Sequence, residues 1–307
     1  MKKIVVFGSF LVDLTARTPH FPNPGETVLG SSFVLGPGGK GFNQAVAAHK
    51  AGANVIMVTK LGRDTFASVA LDTMLALGMD DSHIFYSESI STGAALIMVD
   101  EATGQNEIVA ISGACGAITE EEVGSLRNLL KGSHILLVQL ESNLDATWRV
   151  IRMAKELGLT VVLNTAPAGY VPNEILALVD IVTPNEVEAE LINGIPVNSV
   201  ETAEQSAHWF LGKGVRQVVI TLGSRGCYVH DGISGLLLPA RAVNAIDTTG
   251  AGDAFNGGLV AALSEGKSLR EAAAFATVVA SLSVQRVGTT PSMPTRAEID
   301  ESMCSNK

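Results

Sequence analysis

Positive charge is in short supply in this chain: 21 Lys and Arg stand against 31 Asp and Glu, a formal net charge of −10. No Lys/Arg run occurs. Nucleic acids and anionic bilayers are bound through basic patches, so neither is expected as a partner. Cysteine is scarce as well. Cys115, Cys227 and Cys304 are odd in number and far apart, which excludes a disulfide frame and zinc-ligand spacing and fits a reducing cytoplasm. No apolar stretch is long enough for a membrane-spanning helix. The apolar start, Ile4 to Phe7, is too short for a signal-peptide core and Asp13 follows soon after, so it reads as a buried strand. Linkers, repeats and low-complexity tracts are also missing. What remains is 307 residues, 47% of them hydrophobic, ample for a single large core.

The apolar segments alternate between two periods. Strands are expected over 3–7, 54–59, 135–138, 160–163, 181–182 and 217–221. Helices are expected through Ala51, opened by the run Gly36 to Gln44, and over 64–77, 120–130, 144–157, about 172–178, 202–211, 252–263 and 269–284, followed by a short tail. Such alternation predicts an α/β fold: a central, mostly parallel sheet with helices on both faces. Residues of about 14–36 are rich in Pro, Gly and Thr with no helical period, and 92–112 reads as a hairpin. Together they are expected to stand off the main sheet as a small β lid on a single domain spanning 1–307.

Four glycine- or acid-bearing turns carry the chemistry. The run Asp247-Thr248-Thr249-Gly250-Ala251-Gly252-Asp253 leads into an apolar helix. Glycines at a helix start let backbone N–H groups meet an anion, and the helix dipole assists. An acid beside a phosphate cradle is repelled unless it takes a proton from an attacking hydroxyl, which is the role read for Asp253. The plain alternative is a helix start capped by an acid. Gly38-Gly39-Lys40-Gly41-Phe42-Asn43 opens an alanine-rich helix but lacks phosphate-loop spacing, as does Gly266-Lys267-Ser268. It is either an ordinary turn or a close backbone approach to a polar ligand. Asn185 and Glu188 share a helix face beyond the strand 181–182 and could hold magnesium waters, or simply cap that helix. Thr221-Leu222-Gly223-Ser224-Arg225-Gly226 is a polar turn able to meet a nucleotide, or a hairpin turn. Asp13 and Glu141 follow the carboxyl ends of strands, where open α/β sheets bind ligands. His49, His134 and His208 have no partners at metal spacing, and Ser9, Ser112 and Ser133 have no activating context.

Taken in order, these segments resemble the signature turns of the ribokinase-like (PfkB) carbohydrate kinases, and within them the kinases of ribose and 2-deoxyribose. The resemblance runs from about Lys3 to about Ile299. It implies ATP-dependent phosphorylation of the primary (5-)hydroxyl of a pentose, with Mg2+ and K+ as cofactors. Asp253 is implied as the base and the amides of Gly250, Ala251 and Gly252 as the anion hole. Leu11, Asp13, Gly39, Lys40, Gly41, Asn43 and Glu141 are implied as sugar-side positions. Asn185, Thr221 to Gly226, Gly252 and Thr277 are implied at the nucleotide, and Glu188 at magnesium through water. Asp247, Thr249, Ser283, Arg286, Gly288 and Ser292 are implied at potassium, with Ser283 where the family has alanine. The resemblance also implies a homodimer paired through the lid.

Two positions depart from the pattern. Leu11 stands where ribose kinases carry asparagine, and Phe42 where they carry alanine. Leucine cannot hydrogen-bond a ribose hydroxyl, so 2-deoxyribose or another sugar or nucleoside stands as the alternative substrate. A non-catalytic sugar-binding regulator on the same fold is the rival of another class; retention of Asp253 and its glycines speaks against it.

Overall fold

The computed structural model describes residues 2–304. In chain order the first half comprises β1 (Ile4–Phe7), β2 (Leu11–Thr18), β3 (Ser32–Gly38), α1 (Lys40–Lys50), β4 (Val55–Gly62), α2 (Thr65–Leu77), β5 (Ile84–Ser87), β6 (Thr92–Asp100), β7 (Asn106–Gly113), α3 (Glu120–Ser125) and α4 (Arg127–Lys131). There follow β8 (Ile135–Val138), α5 (Leu144–Glu156), β9 (Thr160–Leu163), α6 (Asn173–Leu176), β10 (Ile181–Val182), α7 (Glu186–Asn193), α8 (Val200–Gly212), β11 (Gln217–Thr221), β12 (Cys227–His230), β13 (Gly235–Leu238), α9 (Ala251–Ser264), α10 (Leu269–Ser283) and α11 (Arg296–Cys304).

The large sheet has nine strands in the order β13-β12-β11-β10-β9-β8-β1-β4-β5. Neighbours from β5 to β11 pair parallel, and only the hairpins β11–β12 and β12–β13 are antiparallel. Side chains of a strand alternate between its two faces. Accordingly Ile4 and Val6 of β1 enter one core, with Ala45 of α1, Leu259 of α9 and Phe275 of α10. Val5 and Phe7 enter the other, with Ile151 of α5 and Phe210 of α8. Both faces are covered, so the central strands read as unbroken apolar runs, and the expected fold class is the one observed.

A second sheet of four strands, β3-β2-β6-β7, stands apart from the first. Its β2 and β6 run parallel, flanked by antiparallel β3 and β7. Much of this sheet is wet on both faces: consecutive Phe33, Val34 and Leu35 are all exposed, as are Ile108 and Val109.

Several local expectations are revised. Helix 120–130 is two helices joined at buried Leu126, where the last turn of α3 tightens to an i−3 bond onto Val123. Strand β5 was not expected; only four residues long, it pairs with the far end of β4. The tail carries helix α11, started by a reciprocal Thr295–Glu298 capping box whose Thr-x-x-Glu spacing is present in the sequence. Asp13 lies inside β2, opposite Gly36 and Ala95, rather than in a loop after β1.

Helices α1 and α9 cross at a close approach. A Cβ on Gly257 would lie 2.4 Å from Ala47 Cβ and 2.7 Å from the Gln44 carbonyl oxygen. Alanine in a helix normally gains close to 1 kcal/mol over glycine. Gly257→Ala is nonetheless expected to lose about 1–3 kcal/mol through overpacking. Urea unfolding checks this, and a midpoint at or above that of the parent would contradict it.

Candidate active site

The parallel strands β1, β8, β9, β10 and β11 all end at one edge of the large sheet, so the residues that follow them converge. Gly8 and Ser9 follow β1, Gln139 and Glu141 follow β8, Asn164 and Thr165 follow β9, and Thr183 and Asn185 follow β10. The N-termini of α1 and α9 point into the same edge. Gly41 permits this for α1, because a Cβ there would sit 2.7 Å from the backbone of Gly8 and Ser9. Glu141 Oε2 accepts from the Lys40 backbone N–H at 2.8 Å and from the Ser9 hydroxyl, tying the start of α1 to the end of β8. The Asp13 carboxylate lies directly over Gly38, where a Cβ would fall 2.1 Å from its Oδ1.

Asp253 sits in the first turn of α9, only 8% exposed. Its Oδ2 accepts from Asn43 Nδ2 at 3.1 Å and its Oδ1 from Gln44 Nε2 at 2.9 Å. Burial pushes its carboxyl upward; Lys40, Gln44 and Asn43 oppose that. Burial also works against the Lys40 ammonium, but Asp253, Glu141, Glu188 and Asp13 outweigh it and hold Lys40 firmly charged. Four carboxylates thus share one lysine. Asp13 feels the imbalance: burial first, then Glu141 and Asp253, raise it from 3.8 to about 6.

The mouth of α9 is formed by Gly250, left-handed at φ 74°. Ala251 N–H donates to the Thr248 carbonyl at 3.2 Å. That narrows the expected three-donor hole: the Ala251 donor is already engaged by its own turn. Among the described residues no protein acceptor meets the N–H groups of Gly250, Gly252 and Asp253. Asn256, one turn along, donates to the Gly252 carbonyl and accepts from Thr183 Oγ1 at 2.6 Å, fixing α9 to the end of β10.

One crevice is lined by Lys40, Asn164, Glu188, Gly250, Gly252 and Asp253. A second, lined by Glu186, Gly223, Gly226 and Thr277, adjoins it, and both share Asn185, Thr221, Ala251 and Gly252. The start of α9 therefore divides one continuous cleft. Asn185 and Glu188 form a reciprocal capping box on α7. Burial raises the Glu188 carboxyl, against the Asn185 backbone N–H and Lys40.

The other expected residues differ in how they are engaged. Leu222 is core. Ser224 is exposed on the turn. Arg225 turns away to the carbonyls of Val197 and Asn198 and pairs with Glu186. Leu11 packs with Ala95 and Cys115 and is 2% exposed. Asn43 is held between Thr290 Oγ1 and Asp253, leaving one free N–H. Asp247 joins two loops by accepting from the Thr249 and Gly288 N–H groups. Ser283 and Ser292 bond their hydroxyls to carbonyls three residues back, and Arg286 pairs with Glu298. Gln44, Gln139, Asn164, Thr183 and Asn256 were not expected at the site. Asn256 had a signal, lying three residues beyond Asp253 on one helix face; Gln139 had none.

A dipole-backed cradle of free N–H groups beside a buried, amide-held carboxylate, in a cleft shared by two ligand-sized halves, defines a phosphotransferase with an alcohol acceptor. Comparison narrows this. Residues 1–296 match the pfkB family carbohydrate kinases. The chain is 40% identical to the ribokinase of Haemophilus influenzae, over 97% of each chain. It is 33% identical to the deoxyribokinase of Salmonella typhi, over 99% of each. The structure of Arabidopsis thaliana ribokinase complexed with ribose and ATP superposes with a TM-score of 0.90, at 30% identity and 98% coverage of both chains. The chain belongs to the pfkB family of carbohydrate kinases: it is a sugar kinase.

The raised Asp13 carboxyl makes a test. Between pH 3.8 and about 6 the folded chain holds a proton there that the unfolded chain has lost. Stability therefore falls as pH rises through that window, and the full cost stands above it. Asp13→Asn is expected to raise the thermal midpoint more at pH 8 than at pH 5. An equal change at both would contradict the crowding of acids around Lys40.

Proposed function

We propose that this kinase performs the ribokinase-type reaction, moving the γ-phosphoryl group of ATP to the primary (5-)hydroxyl of a pentose, with D-ribose as the first candidate. The carrying observation is Asp253, clamped through both oxygens at the mouth of α9 beside unengaged N–H donors. The hydroxyl oxygen bonds to phosphorus, the bond from phosphorus to the β,γ-bridging oxygen breaks to release ADP, and the proton goes to Asp253. The N–H groups of Gly250 and Gly252 donate to the phosphoryl oxygens, with Ala251 sharing its donor. Lys40 offsets the gathering negative charge. On the sugar side, Asp13 and Glu141 accept from hydroxyls, with Gly39, Gly41 and the free N–H of Asn43 around them. On the nucleotide side stand Asn185, Thr221, Gly223, Gly226 and Thr277.

Magnesium fits a crevice with two carboxylates, Glu188 and Asp253, among amides, where phosphates and water supply most ligands. Among the described residues there is no cluster of three acids or other metal-binding side chains to cage it. Glu188, with Asn185, would hold it through water, and when bound it neutralises phosphate charge. Potassium suits oxygen donors at the loops joined by Asp247, with Thr249, Ser283, Arg286, Gly288 and Ser292 around them. Free thiols at Cys115, Cys227 and Cys304 support a cytoplasmic setting. No helix among the described residues is long and apolar enough to cross a membrane.

The 2-deoxyribose alternative is favoured by buried, apolar Leu11 and by the deoxyribokinase relative. A homodimer is favoured by the small sheet, where Phe33 is 64% and Val109 59% exposed on its edge strands. Such surface invites a second copy. Sedimentation at micromolar concentration should give about twice the 32.0 kDa chain mass, and a concentration-independent monomer would remove this pairing.

The reaction is tested by ADP formation over ribose, 2-deoxyribose, fructose and nucleosides. Preference for a pentose is expected; preference for fructose or a nucleoside overturns the pentose assignment. In the same assay Asp253→Asn should lower kcat by roughly 10²–10⁴-fold, while sugar affinity by calorimetry stays near that of the parent. Retained turnover would remove Asp253 as the base.

A further inference from the structure

Behind Asp253 runs a buried chain of amides that the transfer reaction does not itself require. Gln44 and Gln139 are 0% and 1% exposed. Gln139 Nε2 donates to Gln44 Oε1 at 2.7 Å. Gln44 Nε2 in turn donates to Asp253 Oδ1 at 2.9 Å and to Asn164 Oδ1 at 3.0 Å. Asn164 is fixed by donating its Nδ2 to the Thr183 carbonyl at 2.8 Å. Every dipole is thereby aligned. Asn164 must offer its oxygen to Gln44, so Gln44 turns its amino group toward Asn164 and Asp253 and its oxygen toward Gln139, which meets it as a donor. Reversing Gln44 would set its oxygen against both the carboxylate and the Asn164 oxygen.

The far end of the chain is where the arrangement costs stability. Gln139 Oε1 is buried and has no hydrogen-bond partner among the described residues. It faces Gly8, whose missing Cβ would otherwise lie 2.0 Å away. An unmet buried carbonyl typically costs about 1–3 kcal/mol. An apolar residue of similar size would avoid that cost, and would also leave the Gln44 oxygen without its donor. A chain of aligned amides strengthens each bond along it.

We propose that Gln44, held by Asn164 and Gln139, is a positioning residue for this kinase: it holds the Asp253 carboxylate in the one orientation from which it can address the acceptor hydroxyl. Asn43 holds the second oxygen from the same helix, so consecutive residues of α1 grip both oxygens of one carboxylate on α9. Gln44 itself is fully buried and lines neither crevice. The proposal rests on Asp253 as the base, and the two readings fail separately.

The experiment compares Gln44→Met, Gln44→Glu and Gln139→Met in the full chain, with kcat, sugar KM and kcat/KM followed from pH 5 to 9. Gln44→Met should lower kcat about 10- to 100-fold with little change in KM, as expected for a misaligned reacting group. The acid limb of kcat/KM should move up by about one pH unit, because the carboxylate loses a donor. Gln44→Glu should move it further, since two adjoining carboxylates resist joint ionisation. Gln139→Met should reproduce the Gln44→Met effects in weaker form while the thermal midpoint holds or rises. A purely structural role would lower the midpoint and scale the rate equally at every pH. An unmoved acid limb in folded Gln44→Met overturns the proposal. Should that variant not fold, an unmoved limb and unchanged kcat in Gln139→Met overturn it instead. If Asp253→Asn keeps turnover, the base reading fails. If Asp253→Asn is inactive while both methionine variants match the parent, only the positioning role fails.

Discussion

Burying the Asp253 carboxylate is the constraint around which this molecule is arranged. An isolated ionised acid inside a protein costs several kcal/mol, and it neutralises itself unless it is paired and hydrogen-bonded. Asp253 is nine-tenths buried yet receives one amide donor on each oxygen and faces the Lys40 ammonium. All three partners come from the first turns of α1. The position of α1 against α9 is therefore a condition of the chemistry as well as of packing.

That position in turn depends on missing side chains. Gly41 lets α1 press on the backbone after β1, and Gly257 lets α9 press on α1. Glu141 fastens the same junction from the end of β8 by accepting from the Lys40 backbone N–H. The small sheet belongs to the site as well, because Asp13 lies in the middle of β2 while its carboxylate rests over Gly38. Asp13, Lys40 and Asp253 thus arrive from β2, α1 and α9, elements distant in the chain. Their mutual charge imbalance is what leaves Asp13 with its carboxyl raised.

Much of this was legible beforehand. The alternation of apolar strands and helices gave the covered parallel sheet, and β8, β9, β10 and β11 fell where their apolar runs lie. The glycine turns and Asp253 were legible because left-handed or side-chain-free backbone has few substitutes. The misses have distinct causes. Strand β5 is four residues long, too short for a period to register. Helix α11 announced itself only through Thr295 and Glu298. Gln44 sat in full view directly after the second glycine turn, yet a buried glutamine and an exposed one are identical in sequence. Gln139 and Asn164 follow plain apolar strands and carry no pattern at all. In the turn after β11, Thr221, Gly223 and Gly226 line the second crevice, while Leu222 is core and Arg225 pairs with Glu186.

The sequence by itself determined the fold class and the turns at which chemistry could occur, because periodicity and glycine act through the local backbone. Only the tertiary structure decided which polar groups hold Asp253. Residues 43–44, 139, 164 and 253 meet through long-range packing at one sheet edge, and the direction of an amide dipole is settled by the neighbour that packing supplies.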